Sequence, residues 1–253
     1  MKEWIYGRNA VYETLRAGRR QPFRLWVAKG VEEKGHLSQS IEMALRRKAL
    51  VERVPRQQLD AISSGHQGIG LECSGYPYSA LLDILDLAVQ CDEPPFVLIL
   101  DTLQDPQNLG TLLRTAEAVG VHGVLLPLRH TVTVTPAVVN ASAGASEHLF
   151  IAQANIAQSL ENLKENGCWV VGLEGSPSAK PPSEVPLDGA LALVVGSEGF
   201  GMRPLVRQKC DVLLKLPMRG KIESLNAAVA GSIALFAAFE ARGYGWIEKK
   251  SGL

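Results

Sequence analysis

The chain has 253 residues, 46% of them hydrophobic and 21% charged, with equal numbers of basic and acidic side chains. That balance excludes wholesale disorder and suits one large domain or two ordinary ones. The apolar run Ala227 to Phe239 has 13 residues, short of the roughly 20 that span a bilayer, so no membrane association is expected.

Charge is unevenly distributed. Residues 1–60 carry 13 Lys/Arg against 7 Asp/Glu, whereas residues 61–95 carry five acidic residues and no basic one. A basic lobe followed by an acidic connector suggests a part suited to a polyanion, with a merely solvated surface as the competing reading. In chain order, Met1 to Tyr12 alternates charges with aromatics, and no secretory signal is expected. A helix is predicted over 9–17, stopped by Gly18, then a strand over 23–28. His36 to Ala49 is predicted helical, with Ile41, Met43 and Leu45 turned inward. Strands follow at 50–54 and 69–73. These form a small α/β domain over 1–78, with a linker at 79–95 ending in Pro94-Pro95.

From Phe96 the pattern changes to short apolar runs at 96–100, 121–126, 169–173, 191–195 and 212–216, alternating with helices near 108–119, 155–166 and 224–242. Strands apolar on both faces fit a buried, mostly parallel sheet of five or six strands, an α/β fold spanning 96–253. Cys73, Cys91, Cys168 and Cys210 lie far apart without a C-x-x-C pair. Reduced thiols in a cytoplasmic protein are expected, and no metal site.

The first strand of this domain is followed by no G-x-G-x-x-G, and the P-loop, H-E-x-x-H and G-x-S-x-G patterns are absent. Hydride transfer, NTP hydrolysis, metallohydrolysis and serine hydrolysis lose their usual signatures. Three loops remain. In the first, Asp105 and Pro106 read as helix cap and first helical residue, so Asn108, Gly110 and Arg114 occupy the first turns. Leu109, Leu112, Leu113 and Ala116 form the buried face. Gly110 is expected to leave the surface beside Arg114 open, unless Arg114 is a surface ion-pair partner. The second loop, Gly196-Ser-Glu198-Gly199-Phe-Gly201, brings bare amides toward a ligand, or is only a tight turn. In the third, Leu216-Pro217-Met218 is followed by Ser224-Leu225-Asn226, with Ser224 placed to cap the last helix.

Asn108, Gly110 and Arg114, then Gly196, Glu198 and Gly199, then Leu216-Pro217-Met218 with Ser224-Leu225-Asn226 resemble, in order, the three motifs of the SpoU, or TrmH, RNA ribose 2'-O-methyltransferases. Ile5-Tyr6-Gly7, Ala10-Val11 and His66-Gln67-Gly68 resemble its RlmB-like branch, which methylates a guanosine in 23S rRNA and carries a ribosomal-protein-like RNA-binding lobe in front. The resemblance implies a SPOUT-type fold with a deep trefoil knot, a homodimer whose active site draws on both subunits, and S-adenosylmethionine as cofactor. It implies cofactor contacts at Gly196, Gly199, Leu216, Pro217, Met218 and Leu225. Arg114 is expected to orient and activate the ribose hydroxyl, with Asn108, Glu198, Ser224 and Asn226 completing the catalytic set. Arg8, Arg19, Arg20 and Arg24 are the candidate RNA contacts of the lobe. A tRNA ribose methyltransferase, and a non-catalytic RNA-binding or ribosome-assembly factor, are the alternatives.

Overall fold

A computed structural model describes residues 2–222 and 224–244. The chain begins β1 (Lys2–Tyr6), α1 (Arg8–Ala17), β2 (Pro22–Ala28), α2 (His36–Arg46), β3 (Leu50–Val54), α3 (Arg56–Asp60) and β4 (Ile69–Ser74). It continues α4 (Leu81–Gln90), β5 (Phe96–Asp101), α5 (Pro106–Ala118), β6 (Gly123–Pro127), α6 (Pro136–Ala141), β7 (Phe150–Ala154) and α7 (Ile156–Glu165). It ends β8 (Trp169–Leu173), β9 (Leu191–Gly196), α8 (Pro204–Gln208), β10 (Val212–Leu214) and α9 (Ala227–Ala241). Its contacts divide it into two units.

The first unit comprises the chain up to Tyr78 together with Asp105–Glu117 and Val132–Leu149. Its sheet has the order β1-β4-β2-β3, with β4 antiparallel to β1 and β2, and β2 parallel to β3. Alternation drives Ile5, Leu25, Val27 and Leu71 onto one fully buried face, where Val11 and Leu15 of α1 belong to the same core. Gly18 ends α1 at φ 72°, as the spacing predicts. Along α2 the buried stripe is Leu37, Ser40 and Ala44. Leu45 is therefore a correction: it is 59% exposed, because Ala44 takes the inward position one residue earlier.

In α5, Asp105 Oδ1 accepts from Gln107 N at 3.0 Å, and Leu109, Leu112, Leu113 and Ala116 are fully buried. Gly110 does not open the helix surface as expected. A Cβ there would come 2.5 Å from Ala141 Cβ and 2.9 Å from Ser142 N, so the missing side chain serves close packing against the end of α6. Arg20 is a second correction. Its guanidinium is wholly buried and forks onto Glu147 with two 2.9 Å bonds, with Glu3 at 2.7 Å. Burial opposes its charge, but the hydrogen bonds and charges around it, those of Glu147 foremost and Glu3 among them, together outweigh that and raise its pKa above the ordinary arginine value. It is not available to phosphate.

The second unit holds a six-stranded sheet of order β10-β8-β9-β5-β6-β7, parallel throughout. Strands β5, β6 and β9 are buried along their whole length. The sixth strand is β7, which the apolar-run reading omits because Gln153 interrupts it. Within the Leu- and Asp-rich stretch read as a linker, residues 81–90 form α4. Asp83 accepts from Ala80 N at 2.7 Å at its start, and Ile84, Leu85 and Ala88 are buried. The cysteines are free, and burial pushes the Cys73 and Cys210 thiols up to about 12 and Cys168 to about 11. Among the described residues no His/Cys/Asp/Glu group could hold a metal ion, and no helix is long and apolar enough to cross a membrane.

Candidate active site

In a parallel sheet the carboxyl ends of the strands all point one way, and the crevice beyond them is where ligands collect. The second unit has a 550 Å³ cavity there. Leu173 and Glu174 come from the end of β8, Val195 and Gly196 from the end of β9, and Lys215 and Leu216 follow β10. Gly199, Met218, Ser224, Leu225 and Asn226 complete much of the wall. The second and third motifs, some twenty residues apart in sequence, thus share one cavity. Pro217 sits between two lining residues without lining the cavity itself.

Residues 197–201 turn back on themselves, with Ser197 and Gly201 exchanging both backbone hydrogen bonds at 3.0 Å. Gly199 at φ 81° and Gly201 at φ 67° supply the left-handed backbone this needs, and Phe200 stands 96% exposed at the tip. A Cβ on Gly196 would lie 2.2 Å from Gly201 C and 2.4 Å from Met202 N. Gly196 is thus required by the turn's own backbone, a reason separate from any ligand.

Asn226, not Ser224, caps the last helix. Its Oδ1 accepts from Ala228 N at 2.9 Å and Val229 N at 3.2 Å, and α9 begins at Ala227. Because the amide oxygen is committed to the helix, the Nδ2 group faces Glu198 and donates to its Oε1. The cap therefore links the two motifs. Ser224 is exposed on the cavity wall.

Sequence reasoning missed Glu174 and Lys215. Glu174 directly follows the apolar run that became β8, and Lys215 interrupts the run 212–216 just where β10 ends, which was the available signal. Glu174 accepts from Arg207 Nε at 2.8 Å, a bond that holds its carboxyl below the usual range despite partial burial. Two carboxylates, Glu174 and Glu198, thus flank a cavity whose other lining is backbone, apolar side chains, Lys215 and the polar Ser197, Ser224 and Asn226.

Arg114 and Asn108 belong to the first unit. Arg114 is exposed and lines a polar 300 Å³ cavity with Asn9, Glu13, His36, Glu117 and His148. It makes no hydrogen bond or ion pair among the described residues. Asn108 is buried in the first turn of α5. Of the other lobe arginines, Arg19 donates to the backbone oxygens of Leu149 and Pro77, Arg8 Nε donates to Gln67 O at 3.2 Å, and Arg24 lies between Glu52 and Glu72. Arg8 and Arg24 remain partly exposed.

Residues 95–236 match the SpoU rRNA Methylase family, and residues 4–79 match the RNA 2'-O ribose methyltransferase substrate binding domain. YacO of Bacillus subtilis (strain 168), a protein named for the TrmH family of tRNA/rRNA methyltransferases, is 44% identical over 244 residues, covering 95% of this chain and 96% of its own. A relative of the same family name from Staphylococcus aureus (strain MSSA476) is 39% identical over 241 residues, 94% of this chain and 96% of its own. The fold is shared with the SpoU methyltransferase AviRb from Streptomyces viridochromogenes, solved in complex with AdoMet, at a TM-score of 0.79 and 19% identity over 96% of this chain and 92% of that one. The chain belongs to the SpoU/TrmH family of RNA methyltransferases.

Proposed function

We propose that this enzyme methylates the ribose 2'-hydroxyl of a guanosine in 23S rRNA, in the cytoplasm, as a homodimer using S-adenosylmethionine. The observation that carries the reading is the meeting of the second and third motifs in one cavity beyond the carboxyl ends of β8 and β9. The cavity suits that cofactor: Leu216, Met218 and Leu225 offer apolar surface, the 196–201 turn offers backbone, and Glu174 and Glu198 offer negative charge to a sulfonium. The trefoil knot of the family belongs to the same reading. So does the dimer, for which the exposed stripe Val229, Ile233 and Phe236 on α9 is the apolar face.

When bound, S-adenosylmethionine supplies an electrophilic methyl group, and no metal is needed for that. The work left to the chain is orientation of a weakly nucleophilic hydroxyl and removal of its proton. Arginine stays protonated, with a pKa above ~12, so Arg114 is no free base. With its donors uncommitted among the described residues, Arg114 grips the neighbouring phosphate and polarises the hydroxyl. As the ribose oxygen forms its bond to the methyl carbon and the carbon–sulfur bond breaks, the proton passes to phosphate or solvent. Glu198, Asn226 and Ser224 hold the reacting groups in line.

Mass mapping of ribose methylation on rRNA and tRNA, from cells with and without the gene, tests this. Loss of one methylguanosine from 23S rRNA is expected. Loss confined to tRNA would move the substrate to the other half of the relatives' name.

A further inference from the structure

The first unit carries an open groove of 520 Å³ on one face of its sheet, lined by Trp4, Tyr6, Trp26, Gln58, Ile62 and Pro136 among others. Its volume falls in the range of small-ligand sites. Register explains why the rings gather. Tyr6 and Trp26 both pair with Gly70 of β4, so β4 itself sets no side chain between them, and Leu59 and Ile62 enter that gap, 3.1 and 3.4 Å from where a Gly70 Cβ would be. Trp4 leans over that gap, 3.5 Å from where a Gly70 Cβ would be, and meets Trp26 with centroids 4.3 Å apart and planes inclined at 37°. All three rings are only partly buried. On the opposite face Ile5, Leu25 and Leu71 are fully buried. An antiparallel sheet normally alternates core with polar residues, and here it alternates core with aromatics.

The walls are aromatic, but the edges are polar. The Trp4 indole N–H, the Tyr6 hydroxyl and the Gln58 amide have no hydrogen-bond partner among the described residues, whereas Trp26 Nε1 donates to Glu52 at 2.9 Å. An apolar protein face docked here would bury those groups unpaired, which is costly. A nucleobase presents a π-face to the rings and hydrogen-bonding edges to the polar groups. Arg56, the first residue of α3 and two positions before Gln58, is exposed without an ion-pair partner among the described residues, as a phosphate contact requires. The three rings also lie within residues 4–79, matched to the substrate-binding domain.

We infer that this groove holds an unpaired nucleobase of the RNA, stacked on the Trp4–Trp26 pair with Tyr6 as its side wall. The ligand class rests on the methyltransferase reading. The groove goes further, because it demands a splayed-out base in a single-stranded segment, where duplex shape would not satisfy it.

Titration of the full-length protein with a short unstructured oligoribonucleotide, and with a duplex of the same sequence, tests the inference. Trp4→Ala and Tyr6→Leu should each weaken oligoribonucleotide binding by roughly 5- to 150-fold, the worth of one base–aromatic stack. Trp4→Phe should retain most of the affinity. The slope of log affinity against log salt should not change, since no phosphate contact is lost. Circular dichroism establishes that each variant is folded, and Tyr6→Leu keeps apolar volume without the ring. Wild-type affinity in a folded Tyr6→Leu protein overturns the inference. An equal loss on duplex RNA overturns it too. Ring-dependent oligoribonucleotide binding by a wild-type protein that methylates no RNA would uphold the groove while removing the catalytic reading.

Discussion

The amide of Asn226 acts in two directions: Oδ1 caps α9 through Ala228 N and Val229 N, and Nδ2 donates to Glu198. Swapping the amide for a carboxylate separates these roles. Asn226→Asp keeps an excellent cap at a helix N-terminus but sets a negative charge against Glu198. Its unfolding free energy should stay within about 0.5 kcal/mol of wild type, while affinity for S-adenosylmethionine falls. Asn226→Ala loses both roles and should cost about 1–2 kcal/mol of stability. Urea denaturation and calorimetric titration measure the two effects, and unchanged cofactor affinity in Asn226→Asp would separate Glu198 from the binding site.

Gly196 makes a sharper demand. Even alanine there would collide with Gly201 and Met202 backbone, so the 197–201 turn must move. Gly196→Ala is expected to lower stability by about 1–3 kcal/mol, the usual cost of overpacking, and to abolish measurable cofactor binding. Thermal unfolding without ligand distinguishes this from simple obstruction, which would leave the unfolding midpoint where it was.

Arg114 is exposed and has no hydrogen-bond or ion-pair partner among the described residues, so Arg114→Ala should leave stability and cofactor affinity near wild type. Single-turnover methylation at saturating RNA should slow by roughly 10²- to 10⁴-fold, about 3–5 kcal/mol of transition-state stabilisation. Arg114→Lys should restore little, because an ammonium lacks the planar fork. A near-normal rate in the alanine variant would remove the role given to this residue.

For Arg20 the expectation is the opposite. Arg20→Met leaves the buried Glu147 carboxylate without its partner, which costs about 3–5 kcal/mol, and Glu147→Gln, which leaves Arg20 only Glu3, should cost less. RNA affinity of whatever remains folded should keep its salt slope, since Arg20 contacts no phosphate. A reduced slope with unchanged stability would restore it as an RNA contact.

His122 gives a pH signature. Its buried ring accepts from Phe96 N through Nδ1 at 3.0 Å, so the folded protein needs the neutral imidazole. Burial, partly offset by Glu93, holds its pKa below the ordinary 6.5. The unfolded chain therefore binds this proton more readily than the folded one. The stability tied to neutral His122 is full above about pH 6.5 and is lost as pH falls toward the lower folded value. Urea midpoints measured across that window should decline more steeply for wild type than for His122→Gln, and parallel curves would exclude the histidine as the cause.

What the sequence revealed was chemistry held in short loops with rigid spacing. Three glycines in 196–201, and Asn226 directly before an apolar helix, are letters with few structural meanings. Packing was less legible. Gly110 reads as an opening until α6 is seen to fill it, and nothing in 128–146 has a period long enough to show a six-residue helix. Arg20 looked like one more surface cation, because its partners Glu3 and Glu147 lie on segments that only the fold brings together. The pairing of Ser224 with the helix start failed by two residues, since either side chain is a competent cap and local spacing does not choose between them.

The sheet order also governs how the molecule is made. Strand β5 sits between β9 and β6, and its register sets Phe96 against Leu191. During synthesis, β5 and β6 leave the ribosome long before β9 exists, so the flank of β5 that β9 will cover must wait, apolar and unpaired. At about 5–20 residues per second that wait lasts many seconds. A nascent chain in that state is a natural client for a chaperone, and slowed translation between residues 127 and 191 should reduce soluble yield without altering the finished enzyme.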